Sequence, residues 1–191
     1  MLFPKITYPH QRDCRNDRTF LQSLFHISFP SHHAIMKQKG QEGDGGMPLL
    51  FVKEDITKMK VDAIVNAANT ELRMGSGVCG AIFHAAGEEK MTEACQKLSP
   101  IRTGEAVMTD GFALPAGHVI HAAGPVYQER KLAESALLLT KTYQSALALA
   151  AEHRLKSVAF PLISAGIYGY PKDEALSLAV WAIRHLSLIH I

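Results

Sequence analysis

The sequence predicts an α/β domain with a central sheet, and three observations carry that prediction. Short apolar runs without polar alternation, Ala63 to Val65 and Ser157 to Phe160, suit strands covered on both faces. Stretches with apolar residues at three- and four-residue spacing lie between such runs, the longest over Lys131 to His153. Glycine-bearing loops follow two of the strands, at the carboxyl edge where open α/β sheets hold their ligands. The chain has 191 residues, 47% hydrophobic and 20% charged, which suits one globular domain with an appendage. A body of roughly 145 residues buries about two thirds of its unfolded surface, enough for one core.

Met1 to Gly46 stand apart from that body. They are rich in His, Arg, Phe and Pro without a clear period, and end in the linker-like run Gly40 to Gly46. They read as a disordered or non-native leader, consistent with upstream sequence read from an early start codon. His32-His33 is the one metal-like feature there, and two adjacent histidines do not close a coordination shell.

The domain is expected to span Met47 to Ile191. Leu49 to Lys53 reads as a strand ended by Glu54-Asp55-Ile56-Thr57. Ala63 to Val65 is the second strand, with Asn66 and Asn69 placed where it should end. Gly75 to Gly80 then leads into a helical segment, Ala81 to Ala86, that Gly87 can cap, and Glu88 to Leu98 continues helical. Ala106 to Thr109 and Val119 to Ala122 read as strands separated by the turn Leu114-Pro115-Ala116-Gly117. In the helix Lys131 to His153, Leu132, Ala136, Leu139, Tyr143, Ala146, Leu147 and Ala150 form one apolar stripe. Ser157 to Phe160 is a buried strand, Pro161 to Pro171 a loop, and Lys172 to His185 the last helix.

Gly75-Ser76-Gly77-Val78-Cys79-Gly80 matches G-x-G-x-x-G, so a nicotinamide or flavin dinucleotide fold has to be weighed. In such folds the first glycine closes the turn directly after the strand, whereas Gly75 stands well beyond Asn66. An acidic residue for the ribose at the end of the next strand is also missing. What remains is a loop whose glycines admit close backbone approach and whose helix start offers N–H groups to anions. The loop after Phe160 is its counterpart, and two such loops can grip the two phosphates of a pyrophosphate.

A net charge of +2 advertises neither nucleic acid nor an anionic membrane as partner. Cys14, Cys79 and Cys95 show no paired or zinc-like spacing, so a reducing, cytoplasmic location is expected and no metal or other cofactor is required. No apolar run approaches the ~20 residues of a membrane span, and Phe20 to Phe29 lacks a signal-peptide cleavage site.

Taken in order, Glu54 to Thr57, Asp62 to Asn69, Gly75 to Gly80, Thr103-Gly104-Glu105-Ala106, Leu114-Pro115-Ala116, Val119-Ile120-His121, Gly124-Pro125 and Phe160 to Pro171 resemble the macrodomain family. The likeness covers Met47 to about Leu186, nearest the bacterial and mitochondrial branch that hydrolyses terminal ADP-ribose. It implies a three-layer α/β/α sandwich around a mixed sheet. It also implies that Asp55 accepts from the adenine amino group, with Ile56 giving backbone contact. Gly75, Ser76, Gly77 and Val78 resemble one phosphate loop, and Ser164, Ala165, Gly166, Ile167 and Tyr168 the other. Asn66 and Asn69 resemble the pair beside the distal ribose, Asn69 more directly. The residue chemistry agrees, since a carboxylate selects a base amine, amides serve hydroxyls, and backbone N–H groups serve phosphates. Each residue also has a plainer reading: Asp55 as a cap or turn residue, Asn66 as a loop brace, Tyr168 and Tyr170 as packing.

Two departures stand out. The branch's hydrolases carry an aspartate at the helix start, where this chain has Cys79; Glu54, where the family favours glycine, is a smaller change. The aspartate is thought to orient or activate water; a thiolate can act as base or nucleophile, and a cysteine can equally be a small packed residue. Second, the chain stops at Ser187 to Ile191, where the family continues into a last strand lying between those matching Leu49 to Lys53 and Ser157 to Phe160. That strand is expected to be missing, leaving Leu49 to Lys53 unpaired. The resemblance thus implies hydrolysis of mono-ADP-ribosyl adducts on proteins or of O-acetyl-ADP-ribose, catalysed around Asn66, Asn69 and Cys79. The alternative is an ADP-ribose reader without turnover.

Overall fold

The computed structural model describes residues 24–28 and 49–186. Its sheet has six strands, β1 (Leu24–Ser28), β2 (Leu49–Val52), β3 (Ala63–Ala68), β4 (Ala106–Asp110), β5 (His118–Ala123) and β6 (Ser157–Pro161), in the spatial order β2-β1-β6-β3-β5-β4. β3 runs parallel to β5 and β6, while β1 and β4 are antiparallel to their neighbours, so the sheet is mixed.

Alternation along the strands sorts the core into two layers. Ala63 and Val65 of β3, Ile120 and Ala122 of β5, and Val158 and Phe160 of β6 face α3 (Leu132–Glu152) and α4 (Lys172–Leu186). The alternate residues Ile64, Ala68, Val119, Ala123 and Ala159 face α1 (Gly77–Ala86) and α2 (Glu88–Leu98). The result is the expected α/β/α sandwich. Each large side chain buried in it contributes about 1.5–3 kcal/mol. Gly87, at φ 96, separates α1 from α2, and Glu88 and Glu89 in the first turn of α2 favour its positive dipole end. Among the described residues no helix is long and apolar enough to cross a membrane.

Two features differ from the sequence reading. β3 runs to Ala68, so Asn66 lies inside the strand, paired in register with His121, and only Asn69 follows it. Leu24–Ser28, inside the segment read as leader, is a strand between β2 and β6, antiparallel to both. The position expected to be empty is therefore filled from the amino-terminal side. Physically, β2 and β6 each present a row of backbone donors and acceptors, and an extended segment of any sequence satisfies them. A five-residue strand in a His- and Arg-rich stretch is too short to display a period. The remaining leader expectations, including His32-His33 and Gly40 to Gly46, lie outside the described residues, as do Ser187 to Ile191.

Candidate functional site

The loops that leave β3, β5 and β6 gather at one edge of the sheet. Ser76 is the extended N-cap of α1 and makes no side-chain cap hydrogen bond, so the first N–H groups of that helix lack both an intrahelical and a capping acceptor. Gly77 sits at φ 62, where a side chain is strained. Gly80 packs so closely on the loop that a Cβ there would stand 2.6 Å from the Gly75 carbonyl oxygen. The glycines thus hold a tight turn at an uncapped helix start, the arrangement that suits an anion.

The second loop is tied by its own backbone. Tyr170 N donates to Ser164 O at 3.0 Å, Gly169 N to Gly166 O at 3.0 Å, and Tyr127 N to Tyr168 O at 2.9 Å. Ser164 is held at φ 66 and buried, while Ile167 at the tip is 81% exposed. Gly124, just past β5, leaves room for this loop: a Cβ there would fall 2.4 Å from Ser164 Oγ. Tyr170 is buried against Tyr127, with ring centroids 4.8 Å apart, so of the two loop tyrosines it is the one that packs.

Between the loops lies a set of polar side chains. Asn69 braces the segment after β3, its Nδ2 donating to Arg73 O at 2.7 Å and its Oδ1 accepting from Arg73 N at 3.0 Å. It remains partly exposed, and each amide atom keeps capacity for a further bond. Asn66 is buried, with Nδ2 donating to Cys79 Sγ at 3.6 Å and lying 3.1 Å from His121 Nδ1. The Cys79 thiol, buried in the first turn of α1, also donates to Arg73 O at 3.8 Å. Arg73 O thus joins Asn69 to Cys79, and through Cys79 to Asn66. Asn66 Oδ1 and Ser164 Oγ are, among the described residues, the buried side-chain oxygens without a hydrogen-bond partner. Burying such an atom unpaired costs about 1–3 kcal/mol.

Asp55 caps a short 3-10 helix, Ile56–Lys58. Its Oδ1 accepts from Thr57 N at 3.0 Å and Thr57 Oγ1 at 2.7 Å, and Oδ2 lies 3.4 Å from Lys58 Nζ. The Thr57 hydroxyl is the largest cause that lowers its pKa. The plainer reading as a cap is therefore realised through Oδ1. Ile56 is buried in the same apolar cluster as Cys79 and Ile82, which seats the Asp55 turn against α1.

Sequence reading missed His121, Thr109 and Cys95. His121 Nε2 lies 2.9 Å from Thr109 Oγ1, and Cys95 Sγ lies 3.7 Å from Nε2. Burial drives the imidazole pKa down to about 4 and pushes the Cys95 thiol up to about 11. The one signal in the sequence was a histidine set inside the apolar run Val119 to Ala123. Among the described residues no group of three or more His, Cys, Asp or Glu side chains is placed to hold a metal. A shallow cavity of about 510 Å³ lies at the opposite edge, lined by Asp62, His118, Arg154 and Lys156 among others. Asp62 Oδ2 there already accepts from Lys156 N and Ser157 N, so the loop edge is the chemically richer place.

Known proteins give the arrangement its context. The Macro domain family profile matches residues 65–179. A macro domain-containing protein of Chlorobaculum tepidum is 50% identical over 135 residues, 71% of this chain and 77% of that protein. ADP-ribose glycohydrolase MACROD1 of Rattus norvegicus is 49% identical over 130 residues, 68% of this chain and 50% of that protein. A solved mutant macrodomain of Oceanobacillus iheyensis with ADPR superposes with a TM-score of 0.65 at 42% identity, covering 68% of this chain and 73% of that one.

Proposed function

Because this chain belongs to the Macro domain family, we propose that it binds ADP-ribose at the loop edge of the sheet and hydrolyses ADP-ribosyl adducts there. The observation that carries the reading is the pairing of an uncapped α1 start with the Ser164 to Tyr168 loop across the ends of β3 and β6. In it, the backbone N–H groups of Gly75 to Val78 and of Ser164 to Tyr168 take the two phosphates. Asp55 accepts from the adenine amino group through Oδ2, beside the Ile56 backbone. Asn69 and Asn66 serve the distal ribose, and water attacks its anomeric carbon. The substrates are mono-ADP-ribosylated acidic side chains of proteins or O-acetyl-ADP-ribose. No cofactor takes part. The reading keeps the protein in the reducing cytoplasm, where Cys79 and Cys95 stay as free thiols.

A second reading, an ADP-ribose reader without turnover, is favoured by Cys79 alone. Its thiol is buried and accepts from Asn66, a poor position for activating water. One titration and one turnover assay separate the readings. Calorimetric titration of ADP-ribose into the full chain is expected to give saturable one-to-one heat, stronger than with AMP. A folded sample that gives no heat, or that prefers NAD, defeats both. Release of ADP-ribose from a mono-ADP-ribosylated protein, raised in Cys79→Asp, supports hydrolysis; binding without release in parent and variant leaves the reader. Loss of turnover in Cys79→Ala, with binding kept, assigns the thiol a part in the chemistry.

A further inference from the structure

His121 has no place in the scheme above, yet it is wholly buried, and it contacts the one asparagine of the pair that is buried. Among the described residues its surroundings are Asn66, Thr109, Cys95 and the edge-on ring of Phe83, with no carboxylate or cation against it. A neutral imidazole offers one donor and one acceptor, so the neighbours settle which nitrogen carries the proton. Thr109 Oγ1 has an outlet for its own proton in Asp110 O at 3.2 Å, or in Met91 Sδ at 3.5 Å. Its oxygen is then free to accept from His121 Nε2–H at 2.9 Å. That leaves a lone pair on Nδ1, which only a donor can face. Asn66 meets it with Nδ2 at 3.1 Å and turns the remaining direction of that amino group toward Cys79 Sγ at 3.6 Å.

We infer that His121 is a positioning residue: through its Nδ1 lone pair it fixes the Asn66 amide with both donors turned inward, so that Oδ1 is the atom offered to a ligand hydroxyl or an attacking water. The inference rests on the ADP-ribose reading for the identity of the ligand, and on the hydrogen-bond chain alone for the tautomer. The surroundings agree with it. Asn66 Oδ1 is buried with no partner, as an acceptor reserved for an incoming donor would be. His121 and Asn66 also stand opposite each other in the register of β5 and β3, so the sheet itself sets their separation. The depressed imidazole pKa, about 4 through burial, keeps the lone pair available across the neutral range. Cys79 then helps hold Asn66, and the ligand is selected at this point for a hydrogen-bond donor.

The test begins with the parent chain, so that no variant has to fold. Nitrogen-15 NMR of the His121 ring at neutral pH is expected to show the Nε2-protonated tautomer; an Nδ1-protonated ring overturns the proposal whatever the protein binds. Next, His121→Asn and His121→Gln are compared, because an Asn amide stands in for Nδ1 and a Gln amide for Nε2. The Gln variant is expected to lose at least ten-fold more ADP-ribose affinity than the Asn variant at similar melting temperature. Equal losses in the two, which a merely structural histidine would give, overturn the positioning role. Asn66→Asp supplies a third readout: a carboxylate facing Nδ1 is expected to move the ring proton to Nδ1, and an unchanged tautomer overturns the contact. A parent chain with the expected tautomer but no ADP-ribose binding defeats the reading of function and the ligand half of the inference, and leaves the Asn66–His121 lock standing.

Discussion

On the α3 and α4 face of the sheet, Val65, Ile120, Val158 and Phe160 meet Leu139, Tyr143, Ala146 and Ile183. The fully buried phenol of Tyr143 there is satisfied on both sides: Tyr143 Oη donates to Pro161 O at 3.3 Å and accepts from Ile163 N at 3.0 Å. On the α1 and α2 face the same strands bury Asn66 and His121, with Thr109 beside them, and leave Asn66 Oδ1 unpartnered. Both faces are buried. Their strand and helix side chains differ: Tyr143 is satisfied from within, Asn66 Oδ1 is not, and the other unpartnered oxygen, Ser164 Oγ, lies in the loop after β6. A satisfied buried polar group rigidifies a core, whereas an unsatisfied one costs stability and marks where another molecule can supply the partner. The comparison teaches that the ligand edge of this sheet is one-sided, with the α3 and α4 layer as its foundation.

The largest effect that would sharpen the contrast comes from the apolar face. Leu139→Ala is expected to cost roughly 3–5 kcal/mol, by lost transfer energy plus a residual cavity. Denaturant melts measure it, and ADP-ribose affinity of the folded fraction should be unchanged; a matching loss of affinity would break the division between the faces.

Next in size is the response to acid, which belongs to the polar face. His121 has a folded pKa of about 4 against an ordinary 6.5. As pH falls below about 6.5 the unfolded chain takes up a proton that the folded chain refuses until about 4. This contribution is therefore fully present above 6.5 and lost as pH falls toward 4, amounting to about 3 kcal/mol. Urea melts between pH 7 and pH 4 check it, and the slope should flatten in His121→Asn; an identical slope in both proteins removes His121 as its source.

Tyr143→Phe, which keeps the ring and strands the Ile163 N–H, is expected to cost about 1–3 kcal/mol. Because Ile163 leads into Ser164, a weaker affinity at saturating stability would show that the foundation also sets the second loop. Smallest is Asp55→Ala, about 1 kcal/mol for a lost cap. Asp55→Asn should recover that stability while still weakening ADP-ribose; recovery of both would leave the carboxylate with a capping role only.

Much of this was legible in advance. The buried strands β3 and β6 read as short apolar runs, β5 as a strand, and the stripe of α3 as a helical period, because period and burial are local properties of the chain. Of the glycines, Gly80 lies close against the Gly75 carbonyl of its own loop and Gly124 against Ser164 of the other, while Gly77 is required by its positive φ and not by a close neighbour. His121 was less visible, since a histidine inside an apolar strand has no partner in sequence: Asn66, Thr109 and Cys95 come from three other elements. The division of labour between the asparagines was equally hidden. Both lie near the end of β3, and only the length of that strand places Asn66 inside it and Asn69 beyond.

The sequence by itself determined the alternation of elements, the layers and the glycine loops, because each follows from side-chain period, φ restriction and the need to bury apolar surface. Tertiary structure alone decided which nitrogen of His121 faces Asn66, that Cys79 accepts a hydrogen bond in the first turn of α1, and that Leu24–Ser28 fills the place between β2 and β6. The physical reason is common to all three. Hydrogen-bond partners distant along the chain are chosen by distance and direction, and a strand's place in a sheet by backbone groups that every residue shares.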